Sequence, residues 1–110
     1  MADKGFSFQK PLDGFLAIPE EESVGYTDAR AVVVPFGLEA SVSYGGGTAQ
    51  GPAAIIKASH QVELFDEEFW CEPVRDFGVL TLVEKPIAGK IETALSELER
   101  ITGKLLDDGK

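Results

Sequence analysis

Two short apolar runs rich in β-branched residues constrain the fold most. They are RAVVVPF, residues 30–36, and FGVLTLV, residues 77–83, and each is bounded by polar or turn-forming residues. Apolar runs that lack a polar alternation are typical of strands buried on both faces, as in a parallel sheet. Pro35 is expected to mark the end of the first strand, because proline cannot donate to a sheet ladder.

The segments that follow these two runs have helical character. Proline suits a first helical position, and residues 52–59 have the propensity for two turns or slightly more. From Ile87 to about Leu106 the apolar residues recur at the i, i+3, i+4 and i+7 spacing, which predicts a long amphipathic helix. Its expected core face carries Ile91, Ala94, Leu95, Leu98, Ile101 and Leu105, and its expected solvent face carries Glu92, Glu97, Glu99, Arg100 and Lys104. Residues 62–69 are ambiguous between an extended piece and a helical turn.

The order of these elements indicates an α/β protein with a mostly parallel sheet. Residues 1–29 show no sustained period, and we expect an N-terminal arm that packs irregularly on a body formed by residues 30–110. The long helix should cross over to a further strand, yet the sequence stops at residue 110. A parallel sheet must be covered on both faces, so we expect the front part of a larger α/β domain, incomplete in this chain.

Composition narrows the classes of partner. The 110 residues are 44% hydrophobic and 26% charged, which fits one small globular domain. The formal net charge of -9 comes from acids spread along the chain, and this disfavours a nucleic acid partner. No apolar run has the length of a membrane span and no signal peptide is recognisable, so we expect no membrane partner and a cytoplasmic location. Cys71, the single cysteine, predicts neither a disulfide nor a zinc site, but a small, half-buried apolar residue.

A glycine-rich stretch between the first strand and the first helix invites a nucleotide site, but its spacing argues against one. Gly45, Gly47 and Gly51 form a pattern one residue longer than the dinucleotide-binding fingerprint. Gly46 and Gly51 have the spacing of a P-loop, but Pro52 and Ala53 stand where lysine and a hydroxyl residue are required. A loop beyond a strand's carboxyl end is still well placed to line a pocket.

Side chains for metal or nucleophilic chemistry are sparse. His60 is the single histidine and lies in no recognisable ligand motif, so we expect a polar residue at a helix end. The hydroxyl residues of the central segment have no neighbouring base that would activate them: Ser41, Ser43, Thr48 and Ser59. The acids that follow are interpreted as a solvated face: Glu63, Asp66, Glu67 and Glu68.

Several separately spaced elements together resemble the ureohydrolases, the arginase and agmatinase family, and especially its microbial agmatinase-like branch. They are FLAIPEEE at 15–22, ARAVVVPF at 29–36 and SYGGGTAQGPAAIIKASHQVELFDEE at 43–68. The match covers most of residues 14–72, whereas residues 73–110 agree only in pattern. Phe36-Gly37-Leu38 departs from the many relatives that carry a second proline and a tyrosine there. The resemblance implies the N-terminal portion of the three-layer αβα parallel-sheet fold of arginase.

The resemblance also implies a cofactor whose ligands this chain lacks. In the family, two manganese ions are held by Gly-Gly-x-His, Asp-x-His-x-Asp and Asp-x-Asp motifs downstream of the matching segment. We therefore expect no catalytic and no metal-binding residue here, a fragment of a longer enzyme, and no activity of the 110-residue chain alone. In the complete enzyme the metal pair lowers the pKa of a bridging water for hydrolysis of a guanidinium group.

The implied reaction is the conversion of agmatine and water to putrescine and urea by a homo-oligomeric enzyme. Residues of the glycine-rich loop are expected to form the rim of the substrate pocket: Tyr44, Gly45, Gly46, Gly47, Thr48 and Gly51. Two alternatives stay open. One is a non-catalytic α/β binding or complementing module derived from the family, and the other is an arginase, guanidinobutyrase or formiminoglutamase parent.

Overall fold

The computed structural model describes residues 5–39, 46–87 and 89–110. In this part of the chain there are two strands, β1 (Ala31–Val33) and β2 (Val79–Thr81). The α-helices are α1 (Gly51–Ser59), α2 (Pro73–Phe77) and α3 (Ile91–Asp107). Short 3-10 turns lie at Pro11–Asp13, Phe15–Ala17, Glu20–Glu22 and Thr48–Gln50. Of the described helices, none combines the length and apolar character needed to cross a bilayer.

The two strands pair in parallel, as the sequence predicts. Ala31 lies opposite Val79, and the register continues through Val33 opposite Thr81. A small parallel sheet among helices is compatible with the predicted α/β class. The arginase-like three-layer arrangement stays a prediction.

Both strands are shorter and less buried than their sequences suggest. The predicted spans 30–36 and 77–83 each contract to three residues, and β1 is half-buried along its whole length. Phe77 ends α2, and Gly78, at φ +67°, turns the chain into β2. Since only these two strands pair within the described residues, each keeps an edge outside the pair. The expectation of strands buried on both faces is therefore wrong for this part of the chain.

The N-terminal arm contributes to the sheet. The Gln9 N–H donates to the Thr81 carbonyl at 2.8 Å, and the Val83 N–H donates to the Ser7 carbonyl at 2.9 Å. Phe8 thereby lies antiparallel to Leu82, at the end of β2. The arm adds a short ordered pairing to the irregular packing that its sequence predicts.

A strained corner of the arm is held by two buried hydroxyl groups. Leu16 and Ala17 have φ angles of 71° and 47°, in a region that residues other than glycine rarely adopt. The Thr81 hydroxyl accepts from the Phe15 N–H, and the Ser59 hydroxyl accepts from the Leu16 N–H, both at 2.8 Å. These bonds join the corner to β2 and to the end of α1, which stabilises the strained conformation.

The core lies between the arm, the sheet and the second half of α3. Its buried centre consists of Tyr26, Leu82 and Leu105. Half-buried side chains packed around this centre are Phe6, Phe8, Val32, Val34, Leu80 and Ile101. The described core therefore draws on α3 mainly through its last turns.

Helix α3 confirms the predicted period but begins four residues late. Gly89 has φ +84°, and Lys90 is extended, so the helix begins at Ile91 instead of Ile87. Ile91 and Leu95 are 40% and 47% exposed, and the prediction that they face the core is wrong. The periodicity identifies the apolar face of α3. Only the later turns of the helix, at Ile101 and Leu105, pack on the central core cluster.

The end of α3 is tied to the chain just before β1. The Tyr26 hydroxyl donates to Asp108 Oδ2 at 2.6 Å. Lys110 Nζ donates to the Ala29 carbonyl at 2.7 Å and to the Tyr26 carbonyl, and it lies 4.2 Å from the centre of the Tyr26 ring. Burial, followed by the Asp108 contact, raises the pKa of Tyr26 to about 12. We call Tyr26, Ala29, Asp108 and Lys110 the amino-end latch.

The segment between α1 and β2 contains a short helix, α2, that the sequence did not predict. The ambiguous residues 62–69 divide in two: residues 62–65 are irregular, and residues 66–69 belong to a turn closed by backbone hydrogen bonds between Asp66 and Cys71. Cys71 is half-buried, as predicted, and Pro73 then begins the unexpected α2. Glu63, Glu67 and Glu68 are solvated as expected. Asp66 is instead half-buried, and its Oδ1 accepts the N–H groups of residues 68 and 69 at 2.9 Å.

Candidate functional site

The carboxyl ends of the two parallel strands lie at the same edge of the sheet. The chain leaves β1 through residues 34–39 and leaves β2 through residues 82–87. Ligands of open α/β sheets bind beyond this edge, because the connections there diverge and leave a crevice. We call this the carboxyl edge and consider the residues that line it.

A cleft of about 260 Å³ lies at the carboxyl edge, beneath α3. Val34 and Phe36 line it from the segment after β1, and Leu82 lines it from the segment after β2. Leu98 and Ile101 form its α3 wall. The walls are thus mainly apolar, as ligand pockets usually are.

Basic side chains form the rim of this cleft. Lys85, Arg100 and Lys104 line it together with Glu97. Arg100 Nη2 pairs with Glu97 Oε1 at 2.6 Å, and this contact lowers the pKa of Glu97 and raises that of Arg100. Lys104 Nζ lies 4.9 Å from the centre of the Phe6 ring. In an acidic chain, the cleft is a local concentration of positive charge and suits an anionic group better than a cation.

The structure describes four of the six residues of the predicted pocket rim. Tyr44 and Gly45 fall outside the described residues. Gly46 and Gly47 are exposed, Thr48 begins the 3-10 turn, and Gly51 begins α1. None of these described loop residues lines the 260 Å³ cleft. Their role at a substrate pocket stays a prediction.

At Gly37 the glycine-rich loop meets the segments that follow β1 and β2. A side-chain carbon at Gly37 would lie 2.6 Å from the Ala49 carbonyl oxygen and 2.7 Å from Glu84 Oε2, closer than real contacts allow. The loop, the segment after β1 and the segment after β2 therefore meet at a position where only glycine fits. Phe36, the preceding residue, lines the cleft, so the loop adjoins the cleft through the Phe36–Gly37 step.

Glu39 accepts hydrogen bonds from the second half of the loop. Its Oε1 accepts the Gly47 N–H at 2.9 Å and the Ala49 N–H at 2.8 Å. Both bonds lower the pKa of Glu39, and the bond from the Ala49 N–H is the larger cause. Sequence reasoning missed this residue. The available signal was an acid placed between a strand and a glycine-rich helix start, where free N–H groups attract a carboxylate.

The carboxyl edge does not contain a metal site in the described part of the chain. No group of three or more His, Cys, Asp or Glu side chains there is arranged to hold an ion. His60 caps the opposite end of α1, and its Nε2 lies 2.9 Å from the Gly14 carbonyl oxygen. The prediction of a polar histidine at a helix end is confirmed.

A comparison with characterised proteins points to one enzyme class. The chain is 42% identical over 64 residues to N(1)-aminopropylagmatine ureohydrolase of Synechocystis sp. (strain ATCC 27184 / PCC 6803 / Kazusa). The alignment covers 58% of this chain and 21% of the relative, so the matched segment spans about a fifth of that curated protein. No protein-family model matches the chain, and no solved structure is significantly similar to it. The 64-residue similarity supports the ureohydrolase family for this chain.

Proposed function

We propose that this chain is an N-terminal segment of a manganese-dependent ureohydrolase, an agmatinase that converts agmatine and water to putrescine and urea. The observation that carries the proposal is the 42% identity over 64 residues to a ureohydrolase. The name of that relative describes a guanidino compound with an aminopropyl extension, and agmatine is the simpler compound of the same class. The proposal includes a cytoplasmic homo-oligomer.

The carboxyl edge supports a guanidino substrate through its acidic side. Glu84 Oε2 lies beside Gly37, and Glu39 Oε2 lies beside Gly46, whereas the cations line the cleft beneath α3. A guanidinium is attracted to carboxylates and repelled by lysine and arginine. We therefore assign the guanidino end of the substrate to the loop side of the carboxyl edge and not to the basic cleft.

The reaction is a hydrolysis. Water adds to the guanidinium carbon, the bond from that carbon to the alkyl-bearing nitrogen breaks, and that nitrogen takes a proton to leave as the amine. Small residues at positions 46, 47 and 51 leave room for a substrate to approach the backbone closely. The contribution of this segment is thus to bind and orient the substrate.

The described residues do not fit a pair of manganese ions, because no cluster of ligating side chains exists among them. The proposal places the metal ligands in the rest of the enzyme. It follows that the purified 110-residue chain should be inactive.

This inactivity is tested by titrating the purified chain with Mn²⁺ by calorimetry and by measuring urea release from agmatine. The Synechocystis relative, assayed on its own substrate, serves as the positive control for the urea measurement. We expect no stoichiometric Mn²⁺ binding and no urea from the chain. Tight binding with turnover would contradict the placement of the metal ligands.

The function of the loop is tested in a chimera in which the matching segment of this chain replaces that of the Synechocystis enzyme. Gly46→Val in the chimera should raise KM or lower kcat, since a branched side chain intrudes on the pocket rim. The thermal midpoint of the Gly46→Val chimera, compared with that of the unsubstituted chimera, is the control for a loss of stability. Unchanged kinetics of the Gly46→Val chimera would remove the loop from the substrate site.

A further inference from the structure

The helix that follows the glycine-rich loop begins without a cap of its own. The turn Thr48–Gln50 runs directly into α1, so residues 48–59 form one helical stretch. Neither Gly47 nor Gln50, the residues at the two N-cap positions, provides a side-chain cap. The first N–H groups of a helix have no acceptor within the helix and need one from elsewhere.

Glu39 provides that acceptor from the segment after β1. A single carboxylate oxygen accepts two N–H groups, from Gly47 at 2.9 Å and from Ala49 at 2.8 Å. The second donor is at the position that an ordinary N-cap side chain would bind. The negative charge also lies at the positive end of the helix. Glu39 thus acts as a cap from eight residues upstream of Gly47.

We propose that Glu39 is the positioning residue of the glycine-rich loop, holding the backbone of Gly47 and Ala49 so that the loop keeps one shape at the carboxyl edge. The capping role stands independently of any activity. What the fixed loop does for a substrate rests on the proposed function.

The glycines of the loop accommodate this carboxylate. A side-chain carbon at Gly46 would lie 3.2 Å from Glu39 Oε2, tighter than most real contacts. Gly47 has φ +112°, which a residue with a side chain rarely adopts. Gly47 therefore needs glycine for the turn into the helix, Gly46 lets Glu39 approach without displacement, and Gly37 leaves space for the Ala49 carbonyl.

Protonation of Glu39 should be detectable at the two backbone amides that it accepts, those of Gly47 and Ala49. The pKa of Glu39 is lowered by the backbone N–H groups that it accepts, with no charged side chain among the causes. Other charged groups described at this edge are Glu84 beside Gly37 and, in the cleft, Lys85, Glu97, Arg100 and Lys104. A carboxyl group with a lowered folded pKa stabilises above its unfolded pKa, and that contribution is lost as the pH falls through the folded value. The cap should therefore release only in acid.

The test is a pH titration of the 110-residue chain from pH 7 to 3, followed by amide chemical shifts in ¹H–¹⁵N spectra. We expect the Gly47 and Ala49 amides to titrate with one shared midpoint below about 4.3, the usual value for glutamate. Glu39→Gln should abolish this midpoint, whereas Glu21→Gln, a change of another exposed acid, should leave it in place. A midpoint that persists in Glu39→Gln would overturn the proposal.

Hydrogen exchange separates positioning from general stability. Glu39→Ala should speed exchange of the Ala49 amide by roughly threefold to tenfold, and Glu39→Gln should do so less because its amide oxygen can still accept. The Leu105 amide, in the buried core, should exchange at an unchanged rate. Loss of the whole fold in Glu39→Ala would overturn the local role assigned here.

Kinetics of the chimera then test the link to function separately. Glu39→Ala in the chimera, which removes the acceptor, should raise KM several-fold while its thermal midpoint stays unchanged, and Glu39→Gln should raise KM less. An unchanged KM, together with a lost amide midpoint, would overturn the loop's role in substrate binding and leave the cap established. An unchanged amide midpoint would overturn the cap itself, whatever the kinetics.

Discussion

The two ends of the parallel strand pair are held by different kinds of contact. At the amino end, the amino-end latch joins residues more than 80 positions apart in the chain. Tyr26 is buried, and its ring reaches from this end to Phe6 and Phe8, which it contacts in tilted geometry at ring-centre distances of 5.8 Å. This end is specified by burial and by contacts between distant segments.

In the glycine-rich loop at the carboxyl edge, the described contacts are local and exposed. Glu39 reaches Gly47 and Ala49 only eight and ten residues further along, and the loop residues Gly46 to Thr48 are solvent-accessible. Close approach there depends on missing side chains at Gly37 and Gly46. The difference indicates that the amino end provides stability while the carboxyl edge provides shape, a division that lets a loop vary without unfolding the core.

The largest effect should come from the buried core. Leu105→Ala removes a side chain that is 5% exposed within the central cluster, and we expect a loss of about 2–5 kcal/mol in the free energy of unfolding. Leu106→Ala is the matched control, because Leu106 is 65% exposed, and it should change stability by less than about 0.5 kcal/mol. Chemical denaturation followed by circular dichroism measures both. Equal losses for the two variants would contradict a core centred on Leu105.

The next effect should appear at the carboxyl edge. Gly37→Ala forces a carbon against the Ala49 carbonyl oxygen, and we expect destabilisation of about 1–3 kcal/mol. Gly103→Ala, an exposed helical site with open space around it, should instead stabilise by about 0.5–1 kcal/mol. The same denaturation experiment compares them. Stabilisation by Gly37→Ala would contradict the close packing of the loop on the segments that follow β1 and β2.

The smallest effect should be a loss of stability at alkaline pH, caused by Tyr26 at the amino end of the strand pair. The folded pKa of Tyr26 is about 12, against an ordinary value of 10.0, so its neutral form is favoured in the folded chain. The stabilisation is fully present below pH 10 and is lost as the pH rises towards 12. Tyr26→Phe should flatten this dependence, measured as the thermal midpoint between pH 9 and 12. An identical slope in wild type and Tyr26→Phe would remove Tyr26 as its source.

Elements whose signals are local were predictable from the sequence. Pro52 indicated the start of α1 to within one residue, and the period of Leu98, Ile101 and Leu105 predicted the body of α3. The β-branched runs predicted the parallel pair. Helix α2 was missed because its five residues are too few to show a period, although Pro73 at its start is a recognised signal.

Features that depend on distant contacts were not predictable. Periodicity predicted an apolar face on α3 but not that Ile91 and Leu95 would stay exposed, since exposure depends on what packs opposite. The glycine triplet indicated a close approach, but the approaching group, Glu39, became evident only once strand and loop were placed together. The departure at Phe36-Gly37-Leu38 predicted nothing by itself, and the close approach of the Ala49 carbonyl to Gly37 is evident only in the structure.

The most direct measurement of the central claim is urea release by the chimera that carries this chain's segment in the Synechocystis enzyme, assayed with manganese on that enzyme's own substrate. A segment that forms the carboxyl edge of a ureohydrolase should support turnover within about tenfold of the parent, or about 1.4 kcal/mol of transition-state stabilisation. A chimera that folds with the parent's thermal midpoint but releases no urea would contradict the account.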